Sequence, residues 1–169
     1  MFNSNMLGSF TPMNRNRIIA IILFSFAALI VWFTFLFIMA EEIKTVDKIL
    51  MVGGAISSVV STSCIAYWLS PKIYETERTK KATSNAVSYG VAITFLSYLL
   101  GAIIFGIGST IFGLLTDPNY TSVARAIEGA LLTIIVGGLY AIIYMSPGLI
   151  LGGLTGVFYN HIVRNKSAT

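Results

Sequence analysis

Hydrophobic residues in this chain run in four long blocks separated by short clusters of charge. The blocks are Ile18–Ala40, Ile49–Leu69, Ala86–Leu115 and Ala130–Val163, and none of them contains a Lys, Arg, Asp or Glu. A helix needs about 20 predominantly apolar residues to cross the hydrocarbon of a bilayer. A soluble core has no need of uncharged runs that long. The pattern predicts an all-α integral membrane protein, a bundle of four transmembrane helices over residues 18–40, 49–69, 86–115 and 130–163. Residues 70–85 form its cytoplasmic loop, and residues 1–169 form one membrane domain.

Blocks three and four are longer than a straight crossing requires, roughly 45 and 51 Å as helix against about 30 Å of hydrocarbon. Tilt absorbs part of the excess. The fourth block is also interrupted by Ser146-Pro147-Gly148. Pro147 removes one helix hydrogen bond and crowds the preceding turn, which predicts a single span kinked there. A re-entrant split at the same proline is the alternative. The first block resembles a signal sequence in having Arg15 and Arg17 before it, but its 23 residues exceed the roughly 7–15 of such a segment. It is read as a retained membrane helix.

Glycine is unevenly placed: none in block one, then two, five and six in blocks two, three and four. Small residues let helix backbones approach closely in lipid, where apolar burial no longer drives association. The bulky first block, with Phe24, Phe26, Trp32, Phe33, Phe35 and Phe37, is expected to face lipid. Spacings of three and four place Gly54, Ser57, Ser61 and Cys64 on one predicted packing face, and Thr94, Ser97, Gly101 and Gly108 on another. Block four carries two ladders spaced by four, Gly129-Thr133-Gly137-Ala141 and Gly148-Gly152-Gly156-Asn160. The second is a glycine-zipper pattern. It would serve either self-association or packing against block two or three within the chain.

The charge clusters orient the helices. With four crossings, one side carries Arg15, Arg17, Lys72, Arg78, Lys80, Lys81, Arg164 and Lys166, and the other only Lys44, Lys48 and Arg125. The positive-inside rule then places both termini in the cytoplasm. Tyr67 and Trp68 suit an aromatic belt at that interface. The stretch from Pro71 to Arg78 is predicted to start a short helix at its proline. It is read as a solvated connector, with docking of a cytoplasmic partner or anionic lipid as the functional alternative. The tiny loops and Ile/Ser/Asn-rich composition point to a bacterial inner membrane. On that reading the Asn119-Tyr120-Thr121 sequon carries no weight.

Composition narrows the chemistry. Charged residues make up 11% of the chain, against about 25% in soluble domains. The basic residues sit at block edges rather than on one face, so no nucleic-acid partner is expected. One cysteine, Cys64, and one histidine, His161, leave no disulfide framework and no metal cluster. Glu128 and Arg125 fit a surface ion pair, and Tyr140 and Tyr144 fit packing beside Pro147. No ionisable residue lies at mid-membrane depth, and no serine has a neighbouring base. No catalytic residue, metal or cofactor is therefore expected. The expected function is that of an accessory or interaction subunit working through glycine-rich helix packing, with the bilayer and a membrane-protein partner or a homo-oligomer as its contacts. The alternative is a small oligomeric channel or transporter whose kinked fourth helix lines the path.

Overall fold

In a computed structural model of the chain, residues 12–39, 47–74, 81–116, 123–144 and 146–166 are described, apart from some side chains within those ranges. All of them are helical: α1 (Pro12–Met39), α2 (Asp47–Tyr74), α3 (Lys81–Thr116), α4 (Val123–Tyr144) and α5 (Ser146–Lys166). Three helices are long and apolar enough to span a membrane, over Arg15–Thr34, Val52–Ile73 and Ala82–Thr116. A shorter apolar stretch, Ala126–Ile135, lies in α4. Large apolar side chains point outward along these helices, among them Phe26, Phe33, Phe37, Leu115 and Ile150. In water such a surface would be costly at about 25 cal/mol per Å². In lipid it is the expected exterior.

The helices extend past the apolar blocks. α1 is described from Pro12, six residues ahead of its apolar block. The predicted loop over 70–85 is largely helix, because α2 continues to Tyr74 and α3 begins at Lys81. Pro71 therefore lies inside the end of α2 instead of starting a new helix. It withholds one N–H, and the burial of Ile73 just beyond it favours keeping the turn.

The predicted single helix over 130–163 is two helices, one ending at Tyr144 and the next starting at Ser146. Met145 between them lies outside the described residues, and with it the backbone at the predicted Pro147 kink; Pro147 is the second described residue of α5.

Contacts fix the arrangement. α1 and α2 are antiparallel: Trp32 lies over Gly54, Ser25 Oγ is 3.0 Å from Ser63 Oγ, and Arg17 stacks on Tyr67. α2 and α3 are antiparallel too, with Gly53 facing Phe105 and Ser61 facing Gly101. α5 runs back along α3, matching Gly148 to Tyr98, Gly152 to Thr94 and Gly156 to Ala86. It also touches α1, where the Tyr159 hydroxyl donates to the Asn16 carbonyl at 3.2 Å. The four helices α1, α2, α3 and α5 thus close a ring.

α4 lies against the far half of α3, with Gly138 at Ala102 and Ile134 at Gly106. α4 and α5 therefore follow the same helix, end to end and in the same direction. One straight helix from Gly138 to Gly152 would advance roughly 21 Å, whereas their partners Ala102 and Thr94 are only roughly 12 Å apart along α3. The two segments cannot be one straight rod.

The core of Ala20, Phe24, Ala66, Ile73, Ala86, Ile93, Tyr159 and Val163 sits mainly toward one end of the ring. That end gathers the start of α1 and α3 and the finish of α2 and α5, together with Arg15, Arg17, Lys72 and Arg164.

Candidate functional site: the glycine seam and the groove beside it

The seam between α3 and α5 brings backbone against backbone. A Cβ on Gly156 would meet the Ala86 carbonyl oxygen, and one on Gly90 would meet the Gly152 carbonyl oxygen. At Gly152 it would come within 2.8 Å of Thr94 Cβ and 2.9 Å of the Gly90 oxygen. At Gly148 it would run into the Tyr98 hydroxyl and come within 3.1 Å of Val31 Cγ2. Carbonyls cannot rotate away as side chains can, so Gly90, Gly152 and Gly156 need to be glycine, whereas Gly148 meets only side chains. The ladder Gly148-Gly152-Gly156 is occupied by α3 of the same chain, and Asn160 beyond it is buried.

Other seam positions fall as follows. Gly54 is buried under the Trp32 indole, and Ser57 and Ser61 are buried beside it. A Cβ on Gly101 would sit 3.2 Å from Ser61 Oγ. Ser97 is buried, and Thr94 meets Gly152. Gly108 differs: a Cβ there has nothing within 4 Å. Cys64 is exposed, off the face with which its spacing grouped it. The buried face of α2 turns from Gly54-Ser57-Ser61 to Thr62-Ala66-Ser70-Ile73, as a straight helix drifts against its neighbours.

On α4, the positions against α3 are Ala130, Ile134 and Gly138, with Ala126 buried. They lie one residue along from the predicted Gly129-Thr133-Gly137 ladder, and the packing of Gly137 falls outside the described residues. Two residues of the seam were not singled out from the sequence, Ala86 and Gly90. Their signal is the spacing Ala86-xxx-Gly90-xxx-Thr94, a small-residue row whose middle member alone is glycine.

Hydroxyls on these helices are mostly satisfied within their own helix. Thr94, Ser97, Thr133 and Thr155 each donate to the carbonyl four residues back, at 2.6–3.1 Å. Ser57, Ser61 and Ser109 do so three residues back. Inside the ring, Phe24, Ala27, Ala28, Val31, Thr62, Thr94, Tyr98 and Gly148 enclose a space of about 10 Å³. That is at the threshold for a single water. A larger groove of about 300 Å³ opens sideways between α2 and α3, lined by residues that include Gly53, Ser57, Phe105, Gly108 and Phe112. Gly53 and Gly108, both exposed, add no side chain to its lining.

No group of three His, Cys, Asp or Glu that could hold a metal occurs among the described residues. His161 is exposed, with one ring nitrogen 3.0 Å from Asn165 Nδ2. Glu128 is exposed, and the side chain of Arg125 lies outside the described residues, as do Asn119 and the side chains of Tyr140 and Tyr144. Trp68 is 79% exposed and Tyr67 41%. No protein-family model, no curated protein and no solved structure matches this chain.

Proposed function

We propose that this chain is a non-catalytic accessory or interaction subunit of a bacterial inner membrane, crossing it four times with both termini in the cytoplasm. On this reading α4 and α5 together make the fourth crossing. The end-to-end packing of both on α3 supports this, and so does the gathering of Arg15, Arg17, Lys72 and Arg164 at one end.

The observation that carries the functional reading is the direction in which the small residues point. The Gly148-Gly152-Gly156 ladder faces inward and is filled by α3, and the pocket beside Gly148 holds about 10 Å³. Contact with another protein would then use the outside, and the α2–α3 groove, with Gly53 and Gly108 in its lining, lets a foreign helix approach closely. The occupant proposed is a transmembrane helix of a larger membrane protein. A small oligomeric channel or transporter is the second reading.

Crosslinking in native membranes tests the proposal. A photoreactive residue at position 108 is expected to capture a different membrane protein in stoichiometric amount, and one at Ile22, on the outer face of α1, is not. Gly108→Leu should abolish the capture and leave the protein folded. A stable homo-oligomer crosslinked through position 108, with no other partner, would contradict it and favour the channel.

A further inference from the structure

The basic end of the ring holds a polar arrangement that helix packing does not use. Arg17 lies near the start of α1, half-buried, with its guanidinium 4.6 Å from the centre of the Tyr67 ring. Its Nε is buried and donates to nothing among the described residues. Three residues along α2 from Tyr67, Ser70 is fully buried, and its Oγ likewise has no partner. This sets Ser70 apart from Thr94, Ser97, Thr133 and Thr155, whose hydroxyls bond back into their own helices. Asn160, on α5 beside the Tyr159 that anchors Asn16, is buried with its Oδ1 unpartnered. Its amide can present either oxygen or NH₂.

A half-buried guanidinium is costly without an anion. Tyr67 covers one face of the group and satisfies part of its charge. Its edge still carries the forked N–H donors that match the oxygens of a phosphate. The exposed Tyr67 and Trp68 mark this flank as the level of lipid headgroups, and the exposed Arg15 and Lys72 add positive potential around it. A serine hydroxyl one turn away supplies a neutral donor to the same kind of acceptor.

We propose that Arg17, with Ser70 one turn along α2 from its Tyr67 partner, binds the phosphate of an anionic phospholipid headgroup at the basic end of the helix ring. The site is independent of any protein partner at the α2–α3 groove. Free phosphate shares this chemistry, and the experiment separates the two sources.

The test is native mass spectrometry of the full-length protein from a neutral detergent, titrated with phosphatidylglycerol or phosphatidylcholine, with inorganic phosphate in a parallel series. Phosphatidylglycerol is expected to bind at least tenfold more tightly than phosphatidylcholine, and inorganic phosphate far more weakly than either. Arg17→Gln should lower the phosphatidylglycerol affinity at least fivefold, Ser70→Ala two- to fivefold, and Arg15→Gln, an equal change of charge on an exposed side chain, less than twofold. Arg17→Lys, which keeps the charge and the tyrosine contact but loses the fork, should fall between wild type and Arg17→Gln. It serves as the reporter if the glutamine variant fails to fold. Equal losses in the Arg15 and Arg17 variants would show diffuse charge rather than a site and overturn the proposal. So would equal binding of the two lipids, or binding of inorganic phosphate as tight as that of the lipid.

Discussion

At the scale of single residues, two glycines of the same helix behave in opposite ways. Gly90 lies with its α-carbon against α5, and an added methyl would strike the Gly152 carbonyl. Gly108 lies over the open groove with nothing within 4 Å of the same methyl. Overpacking against backbone costs about 1–3 kcal/mol, and Gly90→Ala should destabilise the protein by that much. Alanine is the better helix former by roughly 0.5–1 kcal/mol, so Gly108→Ala should be neutral or stabilising by up to that amount. Reversible unfolding in detergent, compared for the two variants, gives the sign of each. A stabilised Gly90→Ala would mean that the seam is looser than these contacts require.

Glycine content alone could not separate the two positions. Spacing groups Gly108 with Thr94, Ser97 and Gly101 and does not bring out Gly90. What distinguishes them is the partner across the interface, and that is a tertiary fact. Cys64 shows the same limit: its spacing from Gly54, Ser57 and Ser61 is helical, yet the buried face has turned past it by that point.

At the scale of elements, the apolar blocks located the helices well, and their ends less well. Helices run on into charged sequence because their terminal turns need only one packed face. Ile73 and Ala82, outside the predicted spans, are both buried. The fourth block is the larger difference, because periodicity cannot see that α3 holds Gly138 and Gly152 closer along its axis than one straight helix allows.

The break is thus set by packing as well as by Pro147. Pro147→Ala should leave it in place and change stability by less than about 1 kcal/mol, since the contacts of Gly138 with Ala102 and of Gly152 with Thr94 hold it without the proline. Spin labels at the exposed positions Ile135 and Leu154 report on it directly. Their α-carbons would be about 28 Å apart in one straight helix, and a clearly shorter distance is expected in both the wild type and the variant. A rise to about 28 Å in the variant would assign the break to the proline alone.

At the scale of the whole molecule, the parts depend on one vertical arrangement. The tight core and the Arg17 site share the basic end, and the α2–α3 groove opens toward the other. Over its apolar stretch α1 is 17% buried against 28% in α2 and α3, which makes α1 the most exposed of the three. The absence of charge from the blocks made the membrane location legible, and glycine abundance made close packing legible. Which surface the glycines occupy was not legible, because one ladder reads alike whether its partner is another chain or α3.

In the proposed topology α4 and α5 form one crossing. The direct test is labelling of single cysteines in intact cells with a membrane-impermeant thiol reagent, in a Cys64→Ser background, at Asn119 and at Ala168. The four-crossing arrangement predicts reaction at position 119 from outside, and at position 168 only after the membrane is permeabilised. Reaction at position 168 in intact cells would make α4 and α5 separate crossings and contradict it.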